Sequence, residues 1–238
     1  MRVTKAQAQA NRAHIVATAA KLFRERGYDG VGVADLMGAA GFTHGGFYKH
    51  FPAKADLMAE AATCGFEQSL EKTSALDAPE FVRHYLSREH RDAPGDGCIM
   101  AALCADAARQ PAQVKAAFEA GIEAMLARTG NLRDTSDTED TQAHRAKRIA
   151  LMAQMIGATM LSRACPDESP LADEILDACR TTLLSQIASS DYHRVKPGRL
   201  SRPVRLAGHG LPSLRHPLLD PCRLLTGAMP LHITLILE

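Results

Sequence analysis

The chain of 238 residues is predicted to be all-α on three observations. Ala, Leu, Glu, Lys, Arg, Gln and Met dominate from Thr4 to Ser189, and most of these residues lose little side-chain freedom in a helix. No alternating run of β-branched residues, the mark of a half-buried strand, occurs before residue 190. Gly and Pro stand at helix-length intervals, at Gly27, Gly41, Pro52, Pro79, Pro94-Gly95, Pro111, Gly130-Asn131, Pro166 and Pro170, where they stop one helix and open the next.

The first helix is expected from Thr4 or Gln9 to Arg26. Ile15, Ala19, Leu22 and Phe23 make one apolar stripe at i, i+4, i+7 and i+8, and Gly27 takes the left-handed position after the last turn. A short helix follows over 33–40. Gly41 breaks the chain, and Thr43 is placed to cap another short helix reaching His50. Phe51-Pro52 ends that one, because proline biases the preceding residue away from helical geometry. A longer helix is expected over 53–72, with others at 78–91, 98–109, 112–129, 140–163 and 170–189. The polar segment 131–140 is predicted to be a loop. Residues 190–238 carry six prolines and little helical periodicity, and are expected to be an irregular tail, with a lone strand conceivable at 231–237.

Charge divides the chain. Residues 1–54 hold eight Lys/Arg against three Asp/Glu, a net +5; residues 55–189 carry a net −8, and residues 190–238 a net +4. A basic first block suits a polyanionic partner, and an acidic middle does not. No apolar stretch is long enough to cross a bilayer, and Ala-Gln-Ala-Gln-Ala-Asn stands where a secretory signal would need an apolar core, so a cytoplasmic location is expected. The six cysteines form no CxxC pair and no zinc-finger spacing. They are expected to be free thiols, and neither metal nor cofactor is expected. No Gly-x-Ser-x-Gly elbow, phosphate-binding loop or His-Glu-x-x-His occurs, so an enzyme is not expected.

The run Val31–Leu57, VGVADLMGAAGFTHGGFYKHFPAKADL, is laid out as short helix, glycine turn, short helix, the helix-turn-helix plan. Val33, Leu36, Met37 and Ala40 would face inward, with Phe42, Phe47 and Phe51 closing the core. Left outside are Thr43, His44, Gly45, Gly46, Tyr48, Lys49 and His50, a polar and partly cationic face whose two glycines let backbone come close to a partner.

This segment resembles the DNA-binding signature of the TetR/AcrR family of repressors. The resemblance rests on Gly-Phe-Thr-His-Gly-Gly-Phe-Tyr-Lys-His-Phe followed by Pro-Ala-Lys and covers about residues 10–60. It implies an N-terminal three-helix helix-turn-helix domain (1–52), a helical ligand-binding and dimerisation domain (53–189), and a double-stranded DNA operator, a small-molecule effector and a homodimer as partners. Carried over by position, Thr43, His44, Gly45 and Gly46 would face the major groove, with His44 and Lys49 the candidates for base readout. Tyr48, His50 and Lys54 would hold phosphates, and Arg2, Lys5 and Arg12 would extend that footprint. One departure is Gly32, where the family usually has a Ser or Thr cap. The resemblance also implies a pocket, for whose lining Phe66, Met100, Cys104, Phe118, Met125, Met152 and Met155 are the candidates. Its last two helices, with stripes Ile149, Met152, Ile156, Met160 and Leu171, Ile175, Cys179, Leu183, Ile187, would pair with their symmetry mates. Two other readings stay open: a thiol-based electrophile or redox sensor using Cys98 and Cys104, and a helical adaptor without a DNA role.

Overall fold

The computed structural model describes residues 4–131 and 142–192, and among these every regular element is helical. The tail, its strand at 231–237 and most of the loop at 131–140 lie outside the described residues.

Helix α1 (Lys5–Arg26) starts after Thr4, whose hydroxyl accepts the Gln7 backbone N–H at 3.1 Å. Helix α2 (Val33–Ala39) follows, then a 3₁₀ segment (His44–Lys49), then α3 (Lys54–Lys72). The rest comprises α4 (Ala78–Tyr85), α5 (Arg88–Asp92), α6 (Ile99–Ala107), α7 (Ala112–Asn131), α8 (Gln142–Ala164) and α9 (Pro170–Tyr192).

Two expected elements come out differently. The single helix over 78–91 is two. Asp77 and Glu80 cap α4 reciprocally, at 2.7 and 3.0 Å, but the chain leaves helical geometry at Leu86. The Ser87 hydroxyl then caps α5 by accepting the His90 N–H at 3.1 Å, a local bond that competes with continuing the helix. The second short helix is 3₁₀ rather than α, and the Thr43 side chain makes no capping bond.

One buried apolar cluster runs from Ile15 to Leu183. It crosses the boundary expected at 52/53, because α3 packs against α1 on one side and α7 on the other. Phe66 of α3 meets Phe118 of α7 edge-on, with ring centroids 5.4 Å apart. Gly121 leaves room for the Phe66 ring; a Cβ there would lie 2.2 Å from it. Arginines tie the far end: buried Arg91 donates to the Ser162 and Cys165 carbonyls, and Arg163 to the carbonyls of His90 and Arg91. The bonds from Arg91 reach carbonyls at the end of α8 and those from Arg163 reach carbonyls in the last turn of α5, where helix-terminal acceptors lack intrahelical donors.

Candidate nucleic-acid interface

The helix-turn-helix is assembled from local chemistry. Helix α2 ends in a Schellman closure: Phe42 N–H donates to Met37 O at 2.8 Å and Gly41 N–H to Gly38 O at 3.0 Å. That closure needs a positive φ at Gly41, which has φ +77. Leu36, Met37, Ala40, Phe47 and Phe51 are buried, with Val33 and Phe42 packed against them. Phe47 and Phe51 stack at 5.5 Å. Gly32 caps α2 without a side-chain bond.

The side chains expected on the outer face are brought together there. Thr43, His44, Gly45, Tyr48 and Lys49 are exposed, while Gly46 and His50 are half-buried. Tyr48 is 65% exposed, with its ring edge-on to Phe47 at 5.2 Å and near His44 at 6.3 Å. A Cβ at Gly45 would meet nothing within 4 Å, and one at Gly46 only ordinary contacts with Met37 and Thr43. Neither glycine has a positive φ, so the fold of the chain requires glycine at neither position.

Two cations are engaged internally. Lys54, at the first turn of α3, is half-buried and donates from Nζ to Tyr28 O at 2.5 Å. Arg12 forms a two-pronged ion pair with Glu60 of α3 and lies over the Phe51 ring at 4.6 Å. Two of its guanidinium N–H groups are therefore taken by Glu60, while the side chain stays 40% exposed. That pair spans 48 residues, and sequence spacing carries no signal for it. Lys5 remains exposed at the start of α1; Arg2 lies outside the described residues.

The pocket candidates separate. Met100, Met125 and Met155 are buried in the core cluster, Phe66 fills the space over Gly121, and Met152 is half-buried. Cys104 and Phe118 line a surface groove of about 340 Å³ between α6 and α7, together with Ala107, Ala108, Lys115, Glu119, Ile122 and Glu123. Burial, with a smaller contribution from nearby Cys98, pushes the Cys104 thiol up to about 11. It is therefore protonated at neutral pH, the opposite of a reactive thiolate. Cys98, Cys104, Cys165 and Cys179 are free, whereas Cys64 is disulfide-bonded, contrary to the expectation of free thiols throughout. Among the described residues no group of three or more His, Cys, Asp or Glu is placed to hold a metal, and no helix is long and apolar enough to cross a membrane.

A short capped helix, a Schellman turn and an exposed polar segment define a helix-turn-helix region of the class carried by transcription regulators. Residues 15–61 match the family model for bacterial regulatory proteins of the tetR family. The chain is 41% identical over 59 residues to the HTH-type transcriptional regulator AcrR of Shigella flexneri and 37% identical over 76 residues to CymR of Pseudomonas putida. These matches cover 25% and 30% of this chain, and only 27% and 37% of the length of those relatives. In overall fold the chain is similar to a TetR transcriptional regulator from Chloroflexus aurantiacus, with TM-score 0.60 and 23% identity over 76% of this chain and 96% of that one. Residues 15–61 thus carry the N-terminal helix-turn-helix region typical of the tetR family of bacterial regulatory proteins.

Proposed function

We propose that the protein is a cytoplasmic, ligand-responsive repressor that binds a palindromic DNA operator as a homodimer and releases it when a small hydrophobic molecule binds. The observation that carries this reading is the face formed by Thr43, His44, Gly45, Gly46, Tyr48, Lys49 and His50. An exposed aromatic and an exposed cation there follow two glycines that the fold itself does not require. Close approach of a nucleic-acid backbone or base edge gives those glycines a use. In this reading Thr43, His44, Gly45 and Gly46 enter the major groove, and Tyr48, His50 and Lys54 hold phosphates. One N–H of the Lys54 ammonium is taken by Tyr28 O, which leaves two donors for an anion.

Exposed apolar side chains on the last two helices support the dimer. Ile149 and Leu161 of α8 and Leu171 of α9 are 46%, 61% and 52% exposed, and Met160 is exposed beside them. Pairing of this face with its symmetry mate would remove that surface from water. It would also set two recognition segments one DNA turn, about 34–36 Å, apart. For the effector, the α6–α7 groove offers an apolar floor of Phe118, Ile122 and Cys104 under a charged rim of Lys115 and Glu119.

Fluorescence-anisotropy titration with the promoter DNA next to the protein's own gene tests the reading. Affinity well above that for random DNA, falling steeply with salt, is expected. Equal affinity for both DNAs with little salt dependence refutes it.

A further inference from the structure

The turn that leaves α1 is held from two sides. A helix ending in glycine commonly returns the next backbone N–H to one of its own last carbonyls. Here Gly27 N–H does so, donating to Phe23 O at 2.8 Å, but the N–H of Tyr28 donates to Asp106 Oδ2 at 3.2 Å. Asp106 lies in the last turn of α6, 78 residues away. Its approach depends on Gly27: a Cβ there would stand 2.6 Å from Asp106 Oδ2. From the other side, Lys54 of α3 takes the Tyr28 carbonyl at 2.5 Å. The Tyr28 ring is fully buried and packs edge-on against Phe23 at 5.0 Å. A carboxylate at the C-terminal end of a helix faces the negative end of its dipole, so α1 by itself gains nothing from this charge. What the contact does accomplish is a connection between the helix-turn-helix and the body of the protein.

We propose that Asp106 is a positioning residue for operator recognition: it latches the Gly27–Tyr28 turn to the end of α6 and so sets the angle at which the helix-turn-helix is presented. The proposal rests on the DNA-binding reading above. The next two residues along the chain, Ala107 and Ala108, form part of the wall of the α6–α7 groove. A shift of the last turn of α6 therefore moves the latch and the turn it holds together. Specific binding requires each recognition segment in one pose, and apparent affinity falls in proportion to the fraction of molecules holding it. Non-specific binding depends on phosphate charge and tolerates a range of poses.

The test compares the full chain with Asp106→Ala, Asp106→Asn and Asp106→Glu for affinity to the promoter DNA and to random DNA, with thermal melting as the folding control. Asn keeps a carbonyl oxygen for the Tyr28 N–H, whereas Ala removes it and Glu displaces it by a methylene. Asp106→Ala is expected to lower the promoter-to-random ratio about tenfold, the scale of one buried donor left unpaired, while random-DNA affinity stays within about twofold. Asn restores the ratio, and Glu lowers it in a protein that still melts cooperatively, so the test survives if the Ala variant does not fold. A wild-type ratio in the Ala or Glu variant overturns the latch, as does equal loss on both DNAs with no rescue by Asn. A wild type without promoter preference would instead refute the DNA-binding reading, and the latch with it.

Discussion

Buried His90 should make the protein lose stability in mild acid, and the amount follows from its surroundings. His90 is 7% exposed. Its Nδ1 lies 2.7 Å from Tyr85 O, which can only accept, so Nδ1 carries the proton; Nε2 then accepts the Cys98 backbone N–H at 2.9 Å. A second proton on Nε2 would point at that donor. Burial first, then the nearby charge of Arg163, bring His90 down to about 4; the hydrogen bond to the Tyr85 carbonyl opposes them, and His84 adds a smaller lowering. The folded-state pKa is thus below the unfolded value of about 6.5. The unfolded chain takes up the proton first as pH falls, so stability is fully present above about pH 6.5 and is lost progressively toward pH 4. Between pH 7 and pH 5 this amounts to about 2 kcal/mol. Urea unfolding at the two pH values, for wild type and His90→Gln, checks it. The variant, which cannot titrate at this position, should show a pH-dependent loss smaller by about 2 kcal/mol. Equal losses in the two proteins would refute the neutral, doubly bonded histidine.

Three further outcomes are expected. Lys54→Ala should weaken binding to every DNA sequence and flatten the salt slope by about one, and an unchanged slope would remove its phosphate role. Gly121→Ala places a methyl 2.2 Å from the Phe66 ring and should cost about 1–3 kcal/mol in urea unfolding, despite alanine's better helix propensity; an unchanged midpoint would show that α3 and α7 separate freely. The wild type should have a two-chain mass by light scattering at micromolar concentration, and Leu161→Glu, on an exposed apolar face, should have a one-chain mass with an intact helical spectrum. A one-chain wild type would remove both the dimer and the palindrome.

Elements governed by neighbours a few residues away were legible in the sequence. The end of α1 at Gly27, the turn at Gly41 and the stop at Phe51-Pro52 fall where local chemistry places them, because caps, φ constraints and apolar periodicity act within one or two turns. The outer face from Thr43 to His50 was legible for the same reason: once Phe42, Phe47 and Phe51 turn inward, most of the residues between them are left exposed. The break between α4 and α5 was not, since Ser87 is as compatible with continuing a helix as with capping the next. Neither was the status of the charges. Arg12 and Lys54 look alike in sequence as free cations, yet one is paired with Glu60 and the other reaches Tyr28 O.

The sequence by itself therefore determined most of the helices, the helix-turn-helix and the likeness of residues 15–61 to the tetR family, because these rest on periodicity and on a local motif. Tertiary structure alone decided which charged side chains have partners within the protein, which pocket candidates are buried, and that Asp106 meets the Gly27–Tyr28 turn. The physical reason is one of distance along the chain. A hydrogen bond or ion pair between residues 48 or 78 positions apart has no period and no spacing. It exists only because α3 packs α1 against the helices that follow, and packing is a property of the assembled core.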